Sequence, residues 1–114
     1  MSRAQIQSGG NMKVNPHLHF PKRDIRAFCR RHNIQRLSLF GSVLTNEFRP
    51  DSDVDVLVIF EPGHSPSFFE LFDMEEELSA MLKGRKVDLR TPEDLSRYFR
   101  DEVLRNAVVE YAAG

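Results

Sequence analysis

Hydrophobic and polar residues follow two different patterns along this chain, and each pattern predicts a different kind of element. Apolar side chains recur every three or four residues from Lys22 to His32 and from Ser67 to about Gly84, which predicts two amphipathic helices. Ser67 and Glu70 have the spacing of a capping box at the start of the second helix. Apolar runs bounded by turn residues predict strands at residues 37–40 and 54–60, and the alternation of KVDLR predicts a third at residues 86–90.

The C-terminal part of the chain shows a weaker helical periodicity. Thr91-Pro92 is typical of a helix start, so we expect a helix from there to about Asn106. The following stretch, AVVEY at residues 107–111, fits either a last helical turn or an added edge strand, because β-branched residues cluster in it.

Composition predicts one small domain and a cytoplasmic setting. The chain has 114 residues, 40% of them hydrophobic, which suits a single domain over residues 21–114. We expect the polar segment before it, residues 1–20, to be flexible. The single cysteine, Cys29, excludes an internal disulfide framework. No apolar run approaches the roughly 20 residues that span a bilayer, and the N-terminus lacks the basic-then-apolar pattern of a secretory signal.

A net charge of -1 conceals a strong polarity along the chain. Residues 1–50 hold nine Lys and Arg against two Asp and Glu, whereas residues 51–114 hold seven against fifteen. Such asymmetry is compatible with an anion site beside metal-binding carboxylates. We expect no direct nucleic-acid binding, because basic runs interleaved with aromatic residues are missing and the acidic half would repel a phosphate backbone.

The most informative motif is Gly41-Ser42 at the end of a strand, followed after ten intervening residues by Asp53-Val54-Asp55 at the head of another. A glycine allows close backbone approach to phosphates, and a serine at a turn can donate to them. The two carboxylates project from one face of a sheet, and Asp88, in the third predicted strand, is the candidate for a third. Clustered acids favour binding of a cation, so the pattern predicts a site for a metal-bound triphosphate.

These residues resemble the motif of the nucleotidyltransferase superfamily that is related to the DNA polymerase β palm. More closely, RLSLFGS, PDSDVDVLVIFEPG and SRYFRDEVLRNAVVEYA are similar to the minimal nucleotidyltransferases (MNT), which pair with HEPN partners. The resemblance covers residues 22–111. It implies an α/β (α+β) nucleotidyltransferase fold, with a mixed sheet of three to four strands flanked by about four helices.

The resemblance also implies an activity: AMP transfer from ATP to a tyrosine hydroxyl of a HEPN ribonuclease toxin, in a hetero-oligomer in which this chain acts as antitoxin. Asp53 and Asp55 would bind two Mg²⁺ ions, Asp88 would complete the metal site beside the attacking oxygen, and Gly41-Ser42 would hold the triphosphate. The chain departs from relatives that carry an arginine just after Gly-Ser, because it has VLTN at residues 43–46. Arg49 or Arg36 could supply that cation.

Two other functions are compatible with the same residues. A binding antitoxin with little or no catalytic activity would neutralise the toxin by occlusion. A small-molecule nucleotidyltransferase, for example one acting on an antibiotic, is the third, although such enzymes commonly carry an additional acceptor-binding domain.

The remaining conspicuous side chains have ordinary explanations. We expect a solvent-facing helix surface at Arg23, Arg26 and Arg30, a core position at Cys29, and surface or loop positions rather than a zinc site for His17, His19, His32 and His64. In the second helix, the phenylalanines at 68, 69 and 72 could form a partner surface, although capping and core packing would account for most of them. The acids Asp73, Glu76 and Glu77 would largely face solvent.

Overall fold

The computed structural model describes residues 13–114 of the chain. These residues fold around one four-stranded mixed sheet. Two short 3-10 helices, Gly41–Leu44 and Pro92–Asp94, follow the first and third strands. The longer elements are, in chain order, α1 Lys22–Arg31, β1 Ile34–Phe40, β2 Val54–Phe60, α2 Phe68–Met81, β3 Val87–Arg90, α3 Arg100–Asn106 and β4 Val108–Ala112.

The strands lie in the order β3-β2-β1-β4. β1 is antiparallel to both β2 and β4, whereas β2 and β3 are parallel. The mixed sheet expected from the resemblance is therefore confirmed, with three α-helices and two 3-10 helices among the described residues rather than about four helices. The edge-strand interpretation of residues 107–111 is correct, because β4 pairs with β1.

The two faces of the sheet have different roles because side chains alternate along each strand. One face carries the buried apolar residues of the core, including Leu37, Leu39, Val54, Val56 and Val58, and both α1 and α2 contribute to this core. The other face carries Ser38, Phe40, Asp55, Leu57 and Asp88 by the same alternation and register. The acids predicted to be functional thus lie on the face away from the main core.

Local chemistry fixes α2 and joins it to α1. The Ser67 hydroxyl accepts from the Glu70 N–H, and the Glu70 carboxylate accepts from the Ser67 N–H, so the predicted capping box is confirmed.

Glu77 contacts Arg31 and the Nε2 of His32 at the end of α1. These hydrogen bonds hold the pKa of Glu77 below its ordinary value in spite of partial burial, which opposes them. The expectation that Glu77 simply faces solvent is therefore wrong.

The continuous helix predicted over residues 91–106 is also wrong. A 3-10 turn ends at Asp94, Leu95 takes an extended backbone with its side chain 6% exposed, and α3 begins only at Arg100. Burial of Leu95 overrides local helix propensity here. The Leu95 carbonyl, which the break frees, accepts from the Nη2 of Arg100 at 2.9 Å.

The segment before α1 contributes to the fold. Leu18 is buried, and the Asn15 N–H donates to the Val43 carbonyl at 2.7 Å. Residues 1–12 lie outside the described part of the chain, so the flexibility predicted for residues 1–20 stays a prediction, as does the single-domain boundary. None of the helices within residues 13–114 has the length and apolar character needed to cross a bilayer.

Among the side chains with ordinary explanations, Cys29 is fully buried as predicted, and the arginines of α1 at 23, 26 and 30 are exposed. The core-packing explanation of the α2 phenylalanines is wrong. Phe68 and Phe69 are 78% and 77% exposed and Phe72 is 53% exposed. Core packing on α2 is carried instead by Met74 and Leu78.

Candidate active site

Gly41 makes the bend at which the candidate site begins. Its φ of +81° lies in the left-handed region, and a Cβ added to it would come within 2.2 Å of an Asp55 carboxylate oxygen. Both the backbone conformation and the close approach therefore require glycine. Ser42 follows inside the 3-10 helix, which begins at Gly41 with Phe40 at the cap position.

The predicted acids come together around this bend. In the sheet register Asp55 is paired with Phe40 on one side and with Asp88 on the other, so one row across three strands leads from the bend to both carboxylates. Asp53 is exposed just before β2, two residues from Asp55. The Val54 N–H between them donates to the Lys86 carbonyl at 2.8 Å, which fixes the start of β2 against β3.

The proximity of the acids contributes to a raised pKa of Asp55. The pKa of Asp55 is raised from 3.8 to about 6, first by burial and then by the negative charges of Asp88 and Asp53. The positive charge of Arg90 opposes these effects. An excess of negative charge is therefore concentrated at this end of the sheet, which is the condition that favours a bound cation.

Arg90 is the functional candidate that sequence reasoning missed. Its Nε and Nη2 donate to the two carboxylate oxygens of Asp88 at 3.0 and 3.2 Å, a bidentate ion pair. The signal was present in the sequence, because Arg90 lies two residues after Asp88 in an alternating strand and so projects from the same face.

The two arginines expected to replace a missing phosphate-binding cation lie elsewhere. Arg36 is in register with Ile59, four residues beyond Asp55, or about 13 Å along the strand. The Arg49 carbonyl accepts from Arg85, and Arg49 lines a separate cavity with Phe48. Val43, which stands in the VLTN stretch, is fully buried in the core.

The carboxylates are close but not yet arranged as a metal site. Over residues 13–114, no three His, Cys, Asp or Glu side chains are grouped so that they could hold a metal ion. The Asp88–Arg90 pair is one reason that no metal-binding group is formed, since it directs both Asp88 oxygens toward a guanidinium. The donor set nevertheless suits Mg²⁺, because it consists of clustered carboxylate oxygens with an excess of negative charge.

Comparison with known proteins agrees with the fold and the motif. A family model described as nucleotidyltransferase domain matches residues 22–111. The protein adenylyltransferase MntA of Thermococcus cleftensis is 38% identical over 78 residues, which cover 68% of this chain and 76% of the relative.

Two solved structures share the fold at lower sequence identity. A crystal structure of a toxin-antitoxin with AMP-PNP superposes with a TM-score of 0.67 at 19% identity, covering 82% of this chain and 75% of the other. A tri-AMPylated Shewanella oneidensis HEPN toxin in complex with its MNT antitoxin gives a TM-score of 0.60 at 19% identity, covering 81% and 70%.

The fold, the bend and the acids thus define a nucleotidyltransferase, and the chain belongs to the nucleotidyltransferase domain family. Within that family it stands with the minimal nucleotidyltransferases, the group predicted from the segments RLSLFGS, PDSDVDVLVIFEPG and SRYFRDEVLRNAVVEYA. The predicted family and enzyme class are both confirmed.

Proposed function

We propose that this chain is a Mg²⁺-dependent protein adenylyltransferase, which transfers AMP from ATP to a tyrosine hydroxyl of a HEPN ribonuclease and so acts as its cytoplasmic antitoxin. The observation that carries the proposal is the pairing of Asp55 with Asp88 beside the Gly41 bend. The names of the MntA relative and of the AMPylated HEPN complex support the choice of AMP and of a protein acceptor.

The transfer itself is a displacement at the α-phosphorus of ATP. The acceptor oxygen forms a bond to this phosphorus, the bond to the bridging oxygen breaks, and pyrophosphate leaves while the acceptor proton passes to a base. Asp88 is the candidate base, since it lies on the same sheet face as Asp55 and its side chain is partly exposed. Positioning of the two reactants accounts for much of the rate enhancement in such reactions.

Asp53, Asp55 and Asp88 would hold the metal ions. Mg²⁺, when bound, would neutralise the charge of the phosphates and of the leaving group. Gly41 leaves room at the bend for the Asp55 carboxylate, and the Ser42 hydroxyl and N–H are placed in the proposal as phosphate donors.

Arg90 has a place in the same proposal as the phosphate-binding cation. In register it lies beside Leu57, two residues or about 7 Å from the Asp55 row, whereas Arg36 is roughly twice as far away. Once a cation satisfies Asp88, the guanidinium is released to contact the nucleotide. Arginine suits this exchange because its planar donors match carboxylate and phosphate equally well.

Transfer of labelled AMP to the purified HEPN partner tests the activity. We expect Asp55→Asn and Asp53→Asn to abolish labelling without unfolding the domain, because each removes a metal-binding carboxylate. Asp51→Asn is the matched control, since Asp51 is an exposed acid in the neighbouring turn. Labelling that survives both active-site changes, or that is lost equally with Asp51→Asn, would contradict the proposal.

A binding antitoxin that acts by occlusion is the second candidate, favoured by the exposed phenylalanines of α2. The double variant Asp53→Asn/Asp55→Asn separates the two functions. If it still protects cells from the HEPN toxin, occlusion is sufficient; if protection disappears together with AMP transfer, modification is the antitoxin activity.

A further inference from the structure

Three phenylalanines on the first turns of α2 form an exposed aromatic patch, defined as Phe68, Phe69 and Phe72. Their side chains are 78%, 77% and 53% exposed, and the rings of Phe68 and Phe69 meet edge to face with centroids 6.0 Å apart. The helix that carries them is fixed by a capping box, so the patch belongs to an ordered element. Exposed apolar surface of this kind on a folded domain marks an interaction site.

The aromatic patch borders a groove between α2 and β3. The groove has a volume of about 200 Å³ and is lined by Phe68, Leu71, Phe72, Glu75, Leu89 and Asp94. Glu75 spans it at one point, where its carboxylate accepts from the Leu89 N–H at 2.8 Å. Leu89 directly follows Asp88 in β3, which is the edge strand of the sheet. The groove therefore lies at the same sheet edge as the proposed active site.

The charge around the aromatic patch restricts what can occupy it. Residues 61–82 carry six Asp and Glu and no Lys or Arg, and Asp73 and Glu76 are exposed on α2 itself. A second copy of this chain would bring the same acids together and would be repelled. The complementary surface is apolar at its centre and ringed by Lys and Arg. A ribonuclease presents basic surface of this kind because it must hold RNA phosphates.

We propose that the aromatic patch and its groove dock the RNA-cleaving acceptor protein through an apolar surface ringed by basic residues. The inference rests on the proposed function and adds how the acceptor is held. Docking on α2 leaves the opposite face of the sheet open for nucleotide, and the partner reaches that face around the edge formed by β3. Binding of the acceptor and binding of ATP are then separable by mutation.

The double variant Phe68→Ser/Phe69→Ser tests the docking surface. We expect its complex with the purified HEPN partner to be at least about tenfold weaker by titration calorimetry, because aromatic anchors dominate interface energies. ATP binding and thermal unfolding should stay unchanged, since both side chains are exposed. Val109→Ser is the matched control, because Val109 is 49% exposed on β4, at the other edge of the sheet.

Charge reversal provides a second, independent readout. Asp73→Lys/Glu76→Lys should slow association with the HEPN partner and weaken its salt dependence, because rim charges act mainly on the association rate. Unchanged affinity in the phenylalanine variant together with unchanged kinetics in the charge variant would overturn the docking proposal. So would a wild-type chain that sediments alone as a dimer and becomes a monomer on Phe68→Ser/Phe69→Ser.

The outcomes also distinguish this inference from the proposed function. AMP transfer by wild type that the phenylalanine variant retains in full, at low partner concentration, would refute docking and leave the chemistry intact. Partner binding that depends on the aromatic patch, without any AMP transfer, would refute the chemistry and leave docking intact. A wild-type chain that neither binds nor modifies the HEPN partner would refute both.

Discussion

At the scale of single residues, the candidate site is a concentration of negative charge that one arginine partly compensates. Asp55 is half-buried beside Asp53 and Asp88, and its raised pKa of about 6 reflects the cost of ionising it there. The positive charge of Arg90, which forms a bidentate pair with Asp88, relieves part of this cost. Such a site is less stable without its ligand than a neutral one would be, because function requires charges that the fold alone disfavours.

Replacement of Asp55 by Asn should therefore stabilise the metal-free protein. The folded-state pKa lies above the ordinary 3.8, so the folded protein keeps a proton that the unfolded chain releases, and wild-type stability falls as pH rises from 3.8 to about 6. Above that range we expect Asp55→Asn to gain roughly 1 kcal/mol, after allowance for partial exposure. Urea unfolding in EDTA measures it, with Asp51→Asn as the control. An equal gain well below pH 3.8 would contradict the explanation.

Replacement of Arg90 by Gln should weaken nucleotide binding. A charge-assisted contact to phosphate contributes roughly 1.5–3 kcal/mol, so we expect at least a tenfold rise in the Kd of a non-hydrolysable ATP analogue with Mg²⁺. Calorimetric titration measures this Kd. Arg26→Gln is the matched control, because Arg26 is exposed on α1, which packs against the opposite face of the sheet. An unchanged Kd for Arg90→Gln, with a loss for Arg36→Gln or Arg49→Gln, would assign the cation to one of those residues.

At the scale of elements, the sequence predicted what local patterns determine and missed what tertiary contacts determine. The periodicity of α1 and α2, the Ser67–Glu70 capping box and the apolar run of β2 are all local, and each prediction is confirmed. The prediction of a continuous helix from Thr91 is wrong because Leu95 is buried and has an extended backbone. Propensity alone cannot anticipate such a contact.

The same distinction applies to the candidate site. The i, i+2 spacing of Asp53 and Asp55 is a local pattern and placed them together from sequence alone. The pairing of Asp55 with Asp88 depends on the register between two strands separated by α2, which no local signal specifies. The exposure of the α2 phenylalanines was missed for a related reason, since apolar character at helical spacing does not reveal which part of the helix lacks a neighbour.

At the scale of the whole molecule, the polarity of charge along the chain becomes a division between surfaces. The basic N-terminal half supplies α1, whose arginines at 23, 26 and 30 are exposed, while the acidic half supplies both the carboxylates of the candidate site and the acidic α2. The two acidic regions serve different proposed ligands: the carboxylates attract metal with nucleotide, and α2 attracts a basic protein surface. Each ligand should therefore stabilise the fold separately.

Joint addition of ATP and Mg²⁺ should raise the thermal stability of the whole domain, whereas either one alone should have little effect. A ligand at about 100 times its Kd contributes roughly 2.7 kcal/mol by mass action, which in a domain of this size is a rise of several degrees in Tm. The requirement for both components follows from the site. ATP alone meets the excess negative charge around Asp55, and Mg²⁺ alone must separate Asp88 from Arg90 without a phosphate to receive the arginine.

Calorimetric scans of the protein with ATP and Mg²⁺, with ATP and EDTA, and with Mg²⁺ alone measure this coupling. Asp55→Asn should abolish the joint rise in Tm while starting from a higher Tm in EDTA, and Asp51→Asn should behave as wild type. A full rise with ATP in EDTA would mean that nucleotide binds without metal, so that the three acids are not its metal ligands. A full rise with Mg²⁺ alone would mean that the Asp88–Arg90 pair does not compete with the cation, and the exchange proposed for Arg90 would be excluded.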